Sequence, residues 1–161
     1  MEFYQQLGYL IFGSRLRRVS AYFISEVNKV YQQQGIVFDA SWFPVFYLLS
    51  KQDDIALIDI SAQLQTSHSA VSQLISSLHK KGLLQLKRSE EDARKQLVSL
   101  SREGKILLQQ IQPIWTAISR GMQELQAEDA RIAGLLEAVT AMETAFQHTS
   151  LADRVIQYIK D

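Results

Sequence analysis

A chain of 161 residues, 47% of them hydrophobic, is long enough to bury the core of one domain carrying helical extensions, and its 17 basic and 17 acidic side chains cancel. Zero net charge argues against a protein that coats nucleic acid nonspecifically, and the absence of cysteine excludes disulfides, thiol redox sensing and thiolate metal sites. No apolar run approaches the roughly 18 to 20 residues of a membrane span, the first residues lack the basic-then-apolar order of a signal peptide, and His68, His79 and His148 are scattered. The expectation is a cytoplasmic protein with no metal, no cofactor and no membrane partner. Charge is unevenly spread: residues 55–100 carry six basic and four acidic side chains, the only segment with a basic excess.

Over residues 3–34, Leu7, Leu10, Ile11, Leu16, Val19, Phe23, Val27 and Val30 recur at spacings of three and four, which predicts one long amphipathic helix ended by Gly35. Gly8 and Gly13 weaken its first turns by up to about 1 kcal/mol each relative to alanine, so a bent or frayed start is expected. Arg15, Arg17 and Arg18 make a basic knot read as a solvated face or intersubunit ion pairs. Asp39 or Ser41 can cap the next helix, ASWFPVFYLLSK, where Pro44 falls near the first turn and its missing N–H is tolerated. That helix is apolar nearly all round, and Trp42, Phe46, Leu48 and Leu49 should make it a central packing element. Trp42 and Tyr47 are its candidates for lining a small-ligand cavity, although aromatic residues at helical spacing are more often core.

Residues 55–57 are short enough for a minor strand. In IDISAQLQTSHSAVSQLISSLHKKGLL, Ile60 and Leu64 mark one face of a short helix. Ser67 can cap a second, whose apolar face is Val71, Leu74, Ile75 and Leu78 and whose end is Gly82. The opposite face, Ser69, Ser72, Gln73, Ser76 and Lys80, is short and polar, and such a helix can enter a major groove. LLQLKR and KQLVSL, joined by SEEDAR, then predict a hairpin with a charged tip, where Lys87, Arg88, Arg94 and Lys95 flank Glu90, Glu91 and Asp92. Directly after a polar reading helix, this loop reads as a wing whose arginine reaches the DNA backbone or minor groove.

Ser101 can cap, and Glu103 favours the start of, a long helix through Leu107, Ile111, Trp115, Ile118, Met122 and Leu125, with a kink expected at Pro113. Ile132, Leu135, Leu136, Val139, Met142 and Phe146 predict a shorter helix, and LADRVIQYIK one or two further turns. The expected fold is mainly α with a small β component: a single domain over 1–161, a winged helix-turn-helix over 55–100, and dimerisation helices over 1–36 and 101–161. The terminal helices hold more apolar residues than a winged helix needs, which implies a second copy of the chain as partner.

Residues 57–107 resemble the MarR family of bacterial transcription regulators. The run contains V-S-x-L in the second helix, K-K-G-L after it, D-x-R in the wing and V-S-L-[ST]-x-x-G opening the next helix. The resemblance implies a homodimeric, ligand-responsive regulator, read as a repressor, that binds a pseudo-palindromic stretch of double-stranded DNA and responds to a small-molecule effector near the junction of dimer and reading regions. It implies that Ser67, His68, Ser69, Ser72 and Gln73 face the major groove, that Lys80 touches phosphate, that Arg94 is the wing arginine and that Asp92 orients it; Arg88 and Lys95 complete the DNA-facing set. Gln65 stands where the family commonly has glycine, and His68 and Gln73 where it often has arginine. The missing arginines at His68 and Gln73 keep open an alternative, a winged-helix module that binds another protein rather than DNA. No glycine-rich phosphate loop, metal-ligand spacing or nucleophile elbow supports an enzyme.

Overall fold

A computed structural model describes residues 2–90, 92 and 94–159. The N-terminal pattern does not give one uninterrupted helix. It forms α1 (Glu2–Gln6), a 3₁₀ turn (Gly8–Ile11) and α2 (Phe12–Gln33), because the chain turns left-handed at Gly8, φ +51°. A second 3₁₀ turn, Ala40–Trp42, is capped by Asp39, whose carboxylate accepts from the Ser41 N–H at 2.8 Å. It leads into α3 (Phe43–Lys51), with Pro44 in the first turn as expected. Strand β1 (Ile55–Ala56), α4 (Leu57–Gln63), α5 (His68–Lys80), β2 (Leu84–Arg88) and β3 (Gln96–Leu100) follow. The antiparallel sheet has the order β1-β3-β2, and Val98 sits between Ile55 and Leu86. Beyond it run α6 (Arg102–Glu128), α7 (Ala130–Ala133), α8 (Leu135–His148) and α9 (Leu151–Ile159). This is the mainly α winged helix-turn-helix expected from the sequence; α6 continues helically through Pro113.

Three helices end in the same way, for the same reason. Past the end of each, one residue adopts the left-handed conformation, so that two N–H groups turn back to carbonyls of the last turn. At α2 the residue is Gly35 (Ile36 N–H to Tyr31 O, 2.9 Å), and at α5 it is Gly82 (Leu83 N–H to Leu78 O, 3.0 Å). At α4 it is Gln65, φ +49°, with Thr66 N–H to Ser61 O at 3.2 Å. A side chain in that conformation costs about 1–2 kcal/mol, so the turn between α4 and α5 holds backbone strain that the other two lack.

The chain divides into two compact units, Met1–Trp115 and Thr116–Asp161, with the division inside α6. In the first unit, Ile60, Val71, Ile75, Leu78, Leu84 and Val98 are buried where α4, α5 and the sheet pack together. Two groups of rings, joined by one hydrogen bond, tie α2, α3 and the first part of α6. Tyr31, 1% exposed, packs edge-on to Phe38 at 4.8 Å and accepts a hydrogen bond on its Oη from Trp115 Nε1 at 3.1 Å. Burial raises the Tyr31 hydroxyl pKa above its ordinary value. Phe43 meets Trp115 edge-on at 4.9 Å. The second unit has no buried residue in α7, α8 or α9, and several of its apolar side chains, Leu136, Ile156 and Tyr158 among them, stand in solvent. Among the described residues no helix is long and apolar enough to cross a membrane.

Two outcomes follow for stability. Gln65→Gly relieves the left-handed strain and, after the greater flexibility of glycine in the unfolded chain is subtracted, should stabilise by about 0.5–1 kcal/mol in urea unfolding. Tyr31→Phe removes the acceptor of the Trp115 N–H and should cost about 0.5–1.5 kcal/mol in the same measurement.

Candidate nucleic-acid interface

Helix α5 is amphipathic, and burying one face decides what the other presents. Val71, Ile75 and Leu78 are buried, with Leu74 half-buried beside them. Ser69, Gln73, Ser76 and Lys80 then fall in one exposed stripe at spacings of four, three and four. The stripe is small and polar, with a cation at its C-terminal end. Ser72 lies half-buried at its edge. Ser67 is the cap that starts α5, its Oγ accepting from the Ala70 N–H at 3.3 Å, and His68 is the first helical residue, exposed. The structure thus gathers Ser67, His68, Ser69, Ser72, Gln73 and Lys80 onto one helix and its cap.

The wing is closed by its own backbone. Ser89 N–H donates to Lys95 O at 3.0 Å and Lys95 N–H to Asp92 O at 2.8 Å. The Asp92 carboxylate accepts from the backbone N–H of Arg94 at 3.0 Å, so it shapes the turn that carries Arg94 through the main chain. Arg88, Arg94 and Lys95 are exposed. Glu91, which the sequence placed among the acids of this tip, lies outside the described residues, as does Ala93.

Arg88 and Lys95 also line an open cleft of about 590 Å³ with Asp54, Asp59, Lys87 and Glu90. The field in that cleft is mixed, so the wing's cationic character there is weaker than a count of basic residues suggests. Lys87 is held by Asp54, Nζ to Oδ2 at 2.6 Å, which ties β2 to the turn before β1. Asp54 makes this bond from a left-handed conformation, φ +56°. The hydrogen bond from Lys87 lowers the Asp54 pKa and raises that of Lys87.

Trp42 and Tyr47 enter different ring clusters. Trp42 packs on Phe38 at 5.4 Å and carries the Lys81 ammonium over its face at 5.5 Å, whereas Tyr47 packs with Phe43 at 5.6 Å and Trp115 at 6.1 Å. A cleft of about 380 Å³ involves α3 and α6 but is lined by Leu49, Lys51, Lys105, Leu108 and Gln112 rather than by those two aromatic residues. Sequence reasoning named Lys80 and passed over Lys81; its pairing with Trp42 joins positions far apart in the chain and leaves no local signal.

Residues 38–95 match the family model described as MarR family. No curated protein sequence matches the chain. Solved structures similar to it include the transcriptional repressor CouR bound to a 23-mer DNA duplex, at 21% identity and a TM-score of 0.69, covering 84% of this chain and 96% of that one. A Staphylococcus aureus MepR–DNA complex gives 18% identity and a TM-score of 0.68, covering 81% of this chain and 97% of that one. Bordetella bronchiseptica BpsR, studied for regulation of its DNA binding by 6-hydroxynicotinic acid, gives 25% and 0.65, covering 80% and 91%. At such identities the likeness is one of fold, and it extends well beyond the residues that the family model matches.

The Asp54–Lys87 pair is open to titration. Because the folded Asp54 pKa is lowered, the pair's contribution is complete above the ordinary value of 3.8 and is lost as pH falls through the folded value. An NMR titration of the Asp54 carboxyl carbon should place it below 3.8 and show it moving upward in Lys87→Met; an unchanged midpoint would remove the tie between β2 and β1.

Proposed function

We propose that this chain, whose residues 38–95 form a MarR-family winged helix, is a homodimeric DNA-binding transcription regulator that reads a pseudo-palindromic site with one α5 per half-site. The observation that carries the reading is the exposed stripe Ser69, Gln73, Ser76 and Lys80 on a helix whose opposite face packs into the core through Val71, Ile75 and Leu78. Gln73 can make paired hydrogen bonds to an adenine edge, the serines to any base edge, and Lys80 to phosphate. Arg94 at the wing tip is the group for the backbone or minor groove. CouR and MepR are seen on DNA with this fold, and CouR is described as a repressor, which supports repression as the regulatory sense.

Dimerisation is supported by the apolar side chains that one copy leaves in solvent. Leu10 is 90% exposed and Tyr158 77%, with Val19, Tyr22 and Ile159 also exposed. A second copy covering both helical ends would remove them from water and set two α5 helices about one DNA turn apart, near 34 Å. Whatever changes the angle of the terminal helices changes that spacing, so an effector that favours one spacing regulates binding. BpsR responds to an aromatic acid, which supports a small aromatic effector here as well. Such a regulator works in the cytoplasm and catalyses no reaction.

Gel-shift titration of DNA fragments tests the assignment. Gln73→Ala and Arg94→Ala should each weaken binding by about 1–3 kcal/mol, Gln73→Ala also relaxing sequence preference, whereas Lys80→Ala should weaken all sequences alike and reduce the salt slope by about one. Unchanged affinity and footprint in both Gln73→Ala and Arg94→Ala contradict the reading. So does an affinity that is flat with salt, and a partner protein bound in place of DNA would then be the better account.

A further inference from the structure

Resting on the DNA-binding reading above, we infer that Ser101 is a positioning residue: with Gly104 it forms the joint that fixes the angle between the reading helix α5 and the long helix α6. The joint is built from main chain and one short side chain. Two carbonyls leave the C-terminal end of α5, at Gly82 and Leu83, and Ser101 engages both. Its Oγ donates to Gly82 O at 2.6 Å and its N–H donates to Leu83 O at 3.0 Å. The same Oγ accepts from the Gly104 N–H at 2.9 Å, inside the first turn of α6, and the Lys105 N–H donates to Ser101 O at 2.9 Å. One residue therefore ends β3, caps α6 and holds the exit of α5. Ser101 is 5% exposed, so water cannot readily replace these bonds.

Gly104 is the other half. A Cβ built there would fall on the Leu83 carbonyl oxygen, well inside van der Waals contact, and against the Leu100 side chain at 3.3 Å. The absence of a side chain lets α6 sit directly on the segment leaving α5. The bonds that make the joint run between main-chain groups and one short side chain, so small changes in them pass straight to α5. That helix has 13 residues and is about 20 Å long. Tilting it by about 10° about its C-terminal end moves Ser69 by roughly 3 Å, which is the length of a hydrogen bond to a base edge. Sequence reading alone sees Ser101 as a helix cap and Gly104 as a motif letter; the contact with Gly82 and Leu83 is what makes them parts of the reading apparatus.

The test uses the full chain and DNA selected by the wild-type protein from a random pool. Variants of that fragment have the half-site separation changed by one base pair either way, and an unrelated duplex measures nonspecific binding. Wild type should prefer one separation. Ser101→Ala should bind the selected fragment about tenfold more weakly, keep its nonspecific affinity, and lose most of its preference among separations. Ser101→Thr, which retains the hydroxyl, should restore both, and Gly104→Ala should behave like Ser101→Ala or worse. Thermal unfolding and amide exchange of α5 are followed in each variant. Ser101→Ala with wild-type affinity and separation preference overturns the inference. So does an equal loss on selected and unrelated DNA, which reports only less folded protein. A wild-type protein that selects no sequence at all overturns the DNA reading and this inference together.

Discussion

The burial of one face of α5 is the constraint on which the rest of the structure depends. Taking Val71, Ile75 and Leu78 out of water stabilises the helix's seat by about 1.5–3 kcal/mol per side chain, more than any single polar contact on its other face can contribute. The core therefore sets the helix's rotation, and solvent receives what remains. What remains is a row of small hydrogen-bonding groups ending in lysine, a surface suited to base edges and phosphate and poor for packing. The wing is a second consequence, since β2 begins directly after the left-handed turn at Gly82 and lies under the helix that it follows.

Electrostatics play a secondary and local part. The chain is neutral overall, and the cations near the wing are diluted by Asp54, Asp59 and Glu90 in the neighbouring cleft. Lys87 is committed to Asp54, and Lys81 to the face of Trp42. Such a surface gives little general attraction for DNA and leaves discrimination to where a few groups are placed. Placement in turn rests on stiff connections: the left-handed helix ends, the hydrogen bond between Trp115 and Tyr31, and the bonds from Ser101 to the exit of α5.

Much of this was legible in the sequence because local rules govern it. The cap at Ser67, the stop at Gly82 and the pairing of the two hairpin strands follow from residue type and spacing, and the structure agrees at each; the special place of Gln65 came from the resemblance, which puts glycine there, and its backbone is left-handed. The first helix was expected with a bent or frayed start, and the interruption falls at Gly8, where the backbone turns left-handed and a 3₁₀ turn separates α1 from α2. The roles of Lys81, Asp54 and Gly104 were not legible, since each depends on a partner that the chain brings back from elsewhere. Trp42 and Tyr47, close in sequence, were separated for the same reason, each drawn to a different group of rings.

The account's central claim is that the exposed stripe of α5 and the wing tip are the surface that meets DNA. Amide hydrogen exchange of the full chain with and without a bound duplex maps that surface residue by residue. The account predicts slower exchange at 67–73 and around Arg94, with the Asp54–Lys87 side of the wing little changed. Protection confined to α8 and α9, with α5 and the wing unaffected, would contradict it.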